Sequence, residues 1–311
     1  VRFTVGNKTW SATIRDGYSK SFVTLDNIHL WDGLNDPYLY SLTAQLYANG
    51  VEADSITQSF GCRQFEINAM DGFLLNGHKY PLRGVSRHQD RKALGNALTH
   101  AEHLEDMELI REIGANSIRL AHYQHSQDFY DLCDQYGMVA WAEIPYITEH
   151  MKNGTANTLD QMRKLIVQCY NHPSIVCWGL SNEITVHGVT DELMENHRLL
   201  NNLAHELDTT RPTVMAHAFM LEPENRVLDI PDLNTYNLYY GWYMGTLEQN
   251  DSFFDEFRKK FPNRPLGFSE YGADCNPCFQ SAKPEQGDYS EQYQCKYHEY
   301  ILQCIERHPW L

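Results

Sequence analysis

Several features are scarce in these 311 residues, and each scarcity excludes a class of protein. No run of 18 apolar residues occurs, so the sequence predicts no membrane-spanning helix and no membrane partner. The first residues also lack the order of basic, apolar and small residues found in a secretion signal. Lys and Arg number 25 against 41 Asp and Glu. The resulting net charge of −16 argues against nucleic acid as a partner.

Cysteine is sparse as well. Eight cysteines in 311 residues are too few for a disulfide scaffold, which favours free thiols in a reducing compartment and a cytoplasmic protein. Residues Cys275 and Cys278 have CxxC spacing, but no second CxxC accompanies them. A loop with two thiols is therefore favoured over a zinc or redox site, and no metal or cofactor is predicted.

The first 75 residues alternate between apolar and polar positions in short segments, at 1–5, 9–14, 21–25, 39–47 and 55–64. Asn49-Gly50 is a hairpin signal, because a type I′ turn demands positive φ at both central residues. Short strands at this spacing predict a sandwich, and an immunoglobulin-like sandwich usually takes about 100 residues. Residues 1–75 are therefore predicted to form a partial immunoglobulin-like β-sandwich. Because Val1 is not a methionine, we expect the chain to begin inside a longer protein.

From residue 76 onward, strand patterns alternate with helix patterns, which predicts an α/β fold with a parallel sheet or barrel. The strand candidates are 82–86, 117–121, 139–144, 175–181, 213–216, 234–239 and 266–270, and helix candidates lie at about 101–113, 127–136, 158–170, 191–207, 247–261 and 289–307. A complete barrel has eight strands and about 250 residues. Residues 76–311 are therefore predicted to be a (β/α)8 TIM-type barrel that lacks its last strand. The edges of such an open sheet would favour packing in a homo-oligomer.

Two of these strand candidates end in a glutamate. Glu183 follows an apolar run whose side chains suit a parallel strand covered on both faces, and Glu270 ends a second strand of this kind. One acidic residue after a strand is often only the cap of the next helix. Two such strands in one barrel predict two carboxylates at the same rim, which favours catalysis.

Five segments at or near the strand ends form a recognisable pattern: 83–90 (RGVSRHQD), 116–123 (NSIRLAHY), 141–145 (WAEIP), the run that ends in Asn182-Glu183, and 269–274 (SEYGAD). Together they resemble the family 2 glycoside hydrolases, the group of β-galactosidases, β-glucuronidases and β-mannosidases. The resemblance implies a retaining exo-β-glycosidase with a carbohydrate substrate. It assigns Glu183 as the acid/base and Glu270 as the nucleophile. Retaining enzymes hold these two carboxyl groups about 5 to 5.5 Å apart.

The resemblance also implies a set of residues around the sugar. Asn182 would bind the sugar 2-hydroxyl, and Tyr239 would donate to the nucleophile, with Tyr236 and Tyr240 as competing candidates. Arg119, or Arg83 on an earlier strand, would hold a carboxylate, or would be purely structural. Further candidates for contact with the substrate are the residues near strand ends: His88, His122 and Glu143. Glu143 would order the site or bind a cation, and a structural role stays open for each histidine.

Departures from the family pattern guide the choice of sugar. Ser86 and Gln89 replace the Asn and Glu of many relatives, and Thr148-Glu149-His150 does not keep the spacing of the Glu-x-His pair that holds a divalent ion in some galactosidases. Asn276-Pro277-Cys278 lacks the lysine of the Asn-x-Lys pair of glucuronidases. The missing lysine disfavours a glucuronidase, and the stretch Arg87-His88-Gln89-Asp90 favours a galactosidase, so the sequence is predicted to encode a β-galactosidase. The alternatives are a β-glucuronidase, a β-mannosidase and a non-catalytic carbohydrate-binding barrel.

Overall fold

A computed structural model describes residues 1–311, and its N-terminal part is a four-stranded antiparallel sheet in the order β2-β1-β3-β4. The strands are β1 (Arg2–Val5), β2 (Lys8–Ser11), β3 (Tyr40–Ala48) and β4 (Val51–Phe60). Asn49 and Gly50 join β3 to β4 with φ of 52° and 81°, which confirms the predicted hairpin turn. The predicted strand at 21–25 was wrong, because no neighbouring strand pairs with this segment and Phe22 in it is 88% exposed.

A small three-stranded antiparallel sheet follows, with β6 in the centre. It contains β5 (Phe65–Asn68), β6 (Gly72–Leu75) and β7 (His78–Lys79). This sheet lies across the predicted boundary between residues 75 and 76, and the division into 1–75 and 76–311 stays a prediction.

Seven parallel strands form the second and larger part, and each pairs with the next strand in the chain. The strands are β8 (Gly84–Arg87), β9 (Ser117–Leu120), β10 (Val139–Glu143), β11 (Ile175–Asn182), β12 (Thr213–Ala218), β13 (Leu233–Asn237) and β14 (Leu266–Glu270). The helices are α1 (His100–Glu112), α2 (Gln127–Tyr136), α3 (Thr155–Cys169), α4 (Asp191–Leu207), α5 (Gln249–Lys260) and α6 (Glu291–Arg307), with a 3₁₀ turn at Arg226–Asp229. The predicted barrel with its seven strands, preceded by a partial sandwich, is thereby confirmed.

Local sequence signals explain several of these helix ends. A capping box of Thr99 and Glu102 starts α1, and Gly137 ends α2 with a left-handed φ of 74°. None of the six helices is both long and apolar enough to cross a membrane. All eight cysteines are unpaired.

Strand β11 is the middle strand of the seven in the barrel sheet, and all eight of its residues are buried. This agrees with the apolar run in the sequence, which predicts a strand covered on both faces. At the start of β11, Arg63 from the N-terminal part donates to the carbonyl oxygens of Pro173 (2.6 Å) and Ile175 (2.7 Å). Trp31 is fully buried against the same end of the barrel and donates to the Asp134 carbonyl. The opposite ends of the parallel strands therefore share one open rim.

Candidate active site

Arg119 on β9 lies at the centre of the rim and joins two of the predicted carboxylates. Its Nη1 donates to Glu270 Oε1 at 2.5 Å. Its Nε and Nη2 donate to the two oxygens of Glu143, both at 3.0 Å. The arginine side chain is 5% exposed and that of Glu143 is 1% exposed. Such a forked, buried contact fixes the guanidinium plane and thereby the position of Glu270.

Glu270 receives a second donor from Tyr239. The tyrosine hydroxyl donates to Glu270 Oε2 at 2.6 Å, so each carboxylate oxygen accepts one hydrogen bond. Burial and the negative charge of Glu270 raise the pKa of Tyr239 above its ordinary value, which keeps the phenol protonated as a donor. The strand before it ends at Asn237, so Tyr239 lies in a loop and not in the predicted strand.

The two competing tyrosines lie elsewhere. Tyr236 is fully buried and donates to the carbonyl of Leu221, and Tyr240 packs edge-on against Phe219. Neither forms a hydrogen bond with Glu270. Of the three candidates, the structure brings only Tyr239 to this carboxylate.

Glu183 follows directly after β11 with a half-buried side chain. Its φ of 46° is in the left-handed region, which is uncommon for residues other than glycine and recurs at functional sites. Burial and the nearby charge of Glu270 raise the pKa of Glu183, while the neighbouring Asn237 amide opposes this rise. Glu183 follows β11 and Glu270 ends β14, so both carboxyl groups lie at the same rim of the barrel.

The amide of Asn182 is held from two sides. Its Oδ1 accepts from Arg119 Nη2 at 2.8 Å and from Asn237 Nδ2 at 3.1 Å. Asn237 is fully buried at the end of β13, and its own Oδ1 accepts from the hydroxyl of Ser269 at 2.6 Å. The residue before Glu183 is thus connected to the residue before Glu270.

The two predicted histidines form a pair at the edge of this cluster. His122 Nδ1 lies 2.7 Å from Glu143 Oε1, and its Nε2 lies 3.6 Å from Glu270 Oε1. His88 is exposed and packs edge-on against the His122 ring, with 5.0 Å between the centroids. Burial and the neighbouring His122 lower the pKa of His88, so its imidazole is neutral near pH 7. His88 makes no hydrogen bond within the protein and stays available to a ligand.

Two residues predicted to contact the sugar lie deeper than that prediction implies. Glu143 has both oxygens engaged by Arg119 and His122, and its side chain is 1% exposed. Arg119 is also engaged on three sides. Arg119 and Glu143 therefore lie where they can orient the side chains that they contact, Glu270 and His122. Arg83, the other arginine considered, has an exposed residue position just before β8 and no partner at the rim.

The sequence did not predict the hydrogen-bonding role of Arg87, the residue before His88. Arg87 is 6% exposed, donates twice to Asp106, and also lies within hydrogen-bond distance of His103 Nδ1 and His125 Nδ1. Its position in the segment 83–90, next to His88, was the available signal. Asn237 and Ser269 were not predicted as site residues either, although Ser269 lies in the segment 269–274.

Two groups of side chains have the composition of metal ligands, and both lie away from the rim. They are Asp251, Cys304 and His308, and Asp131, Asp134 and His172. Asp251 is already paired with Arg307, and Asp134 with His172 at 2.6 Å. Neither group includes a residue of the Arg119 cluster.

Comparison with known proteins identifies the family. Residues 65–309 match the family described as "Glycosyl hydrolases family 2, TIM barrel domain", and residues 4–63 match "Glycosyl hydrolases family 2". The chain belongs to glycoside hydrolase family 2. The family predicted from the five segments is therefore confirmed.

Individual relatives of this family 2 chain carry two different names. A β-glucuronidase of Bacteroides fragilis is 38% identical over 296 residues, which cover 91% of this chain and 42% of that protein. A β-galactosidase of Thermoanaerobacterium thermosulfurigenes is 34% identical over 211 residues, which cover 66% of this chain and 28% of that protein. The structure of Bacteroides uniformis β-glucuronidase 2 covalently bound to cyclophellitol-6-carboxylate aziridine matches with a TM-score of 0.92 and 32% identity, covering 100% of this chain and 40% of that one. The chain spans less than half the length of these relatives.

Proposed function

We propose that this chain carries the catalytic centre of a retaining β-glycosidase, with Glu270 as nucleophile and Glu183 as acid/base. The observation that carries the proposal is the contrast between the two carboxyl groups. Glu270 accepts hydrogen bonds from a cation and from a phenol, as an ionised carboxylate does. Glu183 has no cationic partner, and its raised pKa favours the protonated form.

The proposed reaction has two steps with opposite roles for Glu183. In the first step, Glu270 attacks the anomeric carbon while Glu183 gives its proton to the departing oxygen. The resulting ester removes the negative charge of Glu270, and with it one cause of the raised pKa of Glu183. Having given up its proton, Glu183 then stays ionised at the pH of the reaction, and as a carboxylate it deprotonates the water that attacks the glycosyl-enzyme.

For the sugar, we propose a β-glucuronide, in place of the β-galactoside expected from the sequence. Most of the relatives compared are named β-glucuronidase, and they reach 38% identity. The expectation of a galactoside relied on the stretch 87–90 and on Asn276-Pro277-Cys278, and the latter three residues lie in the loop after β14, outside the cluster around Arg119. A β-galactoside remains the second candidate because the Thermoanaerobacterium thermosulfurigenes relative carries that name.

The test compares 4-nitrophenyl β-D-glucuronide, β-D-galactoside and β-D-mannoside as substrates of the purified protein that contains this chain. We expect turnover of the glucuronide, with kcat/KM at least about tenfold above that for the other two. Glu270→Gln is expected to abolish turnover, and Glu108→Gln on the exposed surface of α1 is the matched control. Turnover of none of the three substrates, or full activity of Glu270→Gln, would contradict the proposed function.

A further inference from the structure

Three buried polar side chains form a chain of hydrogen bonds behind the two carboxyl groups. Ser269, Asn237 and Asn182 are 8%, 0% and 7% exposed, and they lie on the different strands β14, β13 and β11. The links are 2.6 Å from Ser269 Oγ to Asn237 Oδ1 and 3.1 Å from Asn237 Nδ2 to Asn182 Oδ1. Arg119 closes the chain into a ring, since it donates both to Asn182 and to Glu270.

The direction of every hydrogen bond in this ring follows from Arg119. A guanidinium has donors only and stays charged, so Asn182 must turn its Oδ1 toward Arg119. The second donor to that oxygen must then be the NH₂ group of Asn237, which leaves the Oδ1 of Asn237 facing Ser269. Ser269 is therefore the donor. Each amide has one orientation that satisfies all of these contacts.

The same ring leaves one donor free at the rim. Asn182 Nδ2 has no hydrogen-bond partner in the protein, and it is not one of the fully buried polar atoms that lack a partner. It therefore keeps access to the rim that carries Glu183 and Glu270. An NH₂ group can donate to a hydroxyl oxygen of a bound sugar.

We infer that Ser269 is a positioning residue that acts through Asn237 to keep the Asn182 NH₂ group directed at the sugar 2-hydroxyl. This inference rests on the proposed glycosidase function. Without the Ser269 hydroxyl, the buried Oδ1 of Asn237 loses its donor, and the contact with Asn182 alone holds the Asn237 amide in its orientation. An Asn237 amide turned by 180° would set its Oδ1 against the Oδ1 of Asn182, and the two oxygens would repel each other. The effect on the reaction would appear in the contact with the 2-hydroxyl, which strengthens in the transition state.

The experiment removes the serine hydroxyl and the sugar 2-hydroxyl separately and together. The kinetics of the wild type and of Ser269→Ala are measured with 4-nitrophenyl β-D-glucuronide and with its 2-deoxy analogue. The corresponding galactoside pair is used when the substrate panel selects the galactoside. We expect Ser269→Ala to lower kcat on the parent substrate by about tenfold or more with little change in KM, because the lost contact belongs to the transition state. On the 2-deoxy substrate, the loss should stay within about twofold.

Two further variants separate positioning from general damage. Ser269→Thr keeps a hydroxyl donor and should restore most of kcat on the parent substrate. Ser181→Ala is the matched control, because Ser181 is also buried, precedes Asn182 on β11, and bonds to His197 instead of the ring. Any loss in Ser181→Ala should be the same on both substrates. Ser269→Cys, with a similar volume and a weaker donor, replaces the alanine variant if that variant does not fold.

The outcomes distinguish this inference from the proposed function. Equal losses on the two substrates, or no loss on either, would overturn the role of Ser269. Activity that survives in Glu270→Gln would instead overturn the proposed function, whatever Ser269→Ala does. A loss confined to the substrate with the 2-hydroxyl, together with rescue by Ser269→Thr, would support the inference.

Discussion

The hydroxyl of Tyr239 donates to Glu270 across 2.6 Å, although the two residues belong to different βα units of the barrel. This contact orients the oxygen of Glu270 that Arg119 does not reach. We predict that Tyr239→Phe lowers kcat/KM by about tenfold to a hundredfold, because a hydrogen bond to a charged group contributes about 1.5 to 3 kcal/mol. Steady-state kinetics with a nitrophenyl glycoside measures the loss. The control is Tyr240→Phe, and an equal loss there would contradict the assignment.

Removal of the carboxyl group of Glu183 should affect substrates according to their leaving groups. We predict that Glu183→Ala loses about 10² to 10⁴-fold in kcat/KM on a glycoside with a poor leaving group, which requires a proton from the acid. A dinitrophenyl glycoside needs little protonation and should retain most of its rate of glycosylation. Added azide should then attack the glycosyl-enzyme without a general base and yield a glycosyl azide. Mass spectrometry detects that product, and its absence would argue against Glu183.

The pH dependence follows from the raised pKa of Glu183. The first step requires Glu183 to be protonated, so kcat/KM should fall as pH rises through this pKa, at a pH above the ordinary value of 4.5. Glu270→Gln removes one of the causes, the neighbouring negative charge, and should therefore lower the pKa of Glu183. Titration of ¹³C-labelled glutamate by NMR measures this pKa in the wild type and the variant. An unchanged midpoint would show that the two groups do not interact.

Arg119 should matter for stability as well as for activity. Arg119→Met leaves Glu143 buried without its cation, which should cost roughly 3 to 5 kcal/mol in the free energy of unfolding. A second change, Glu143→Gln, removes the unpaired charge and should recover part of that loss. Urea denaturation followed by circular dichroism measures both. Lys164→Ala, which breaks the exposed pair with Asp160, is the control and should cost less than about 1 kcal/mol.

The strands of the barrel could be predicted from the sequence because burial on both faces leaves long apolar runs, as at 175–180. Glu183 and Glu270 could be predicted because each follows such a run. The segment 21–25 shows the limit, since alternation of residue types does not say whether a neighbouring strand exists to supply hydrogen bonds. The partners Asn237 and Ser269 could not be predicted, because their contact depends on the register between β13 and β14. A polar residue within a strand can have many hydrogen-bond partners. Which partner it meets depends on the residues that the strand pairing places beside it.

Strand β11 sets a limit on how this protein can change during evolution. Arg63 donates hydrogen bonds to main-chain carbonyls at the start of this strand. At its other end, the side chains of Arg119 and Asn237 donate to Asn182. A single inserted or deleted residue between these two anchors would turn every following side chain to the opposite face of the sheet. Length variation is therefore expected only in the loops at the rim, where new lengths alter the choice of ligand without moving the carboxyl groups.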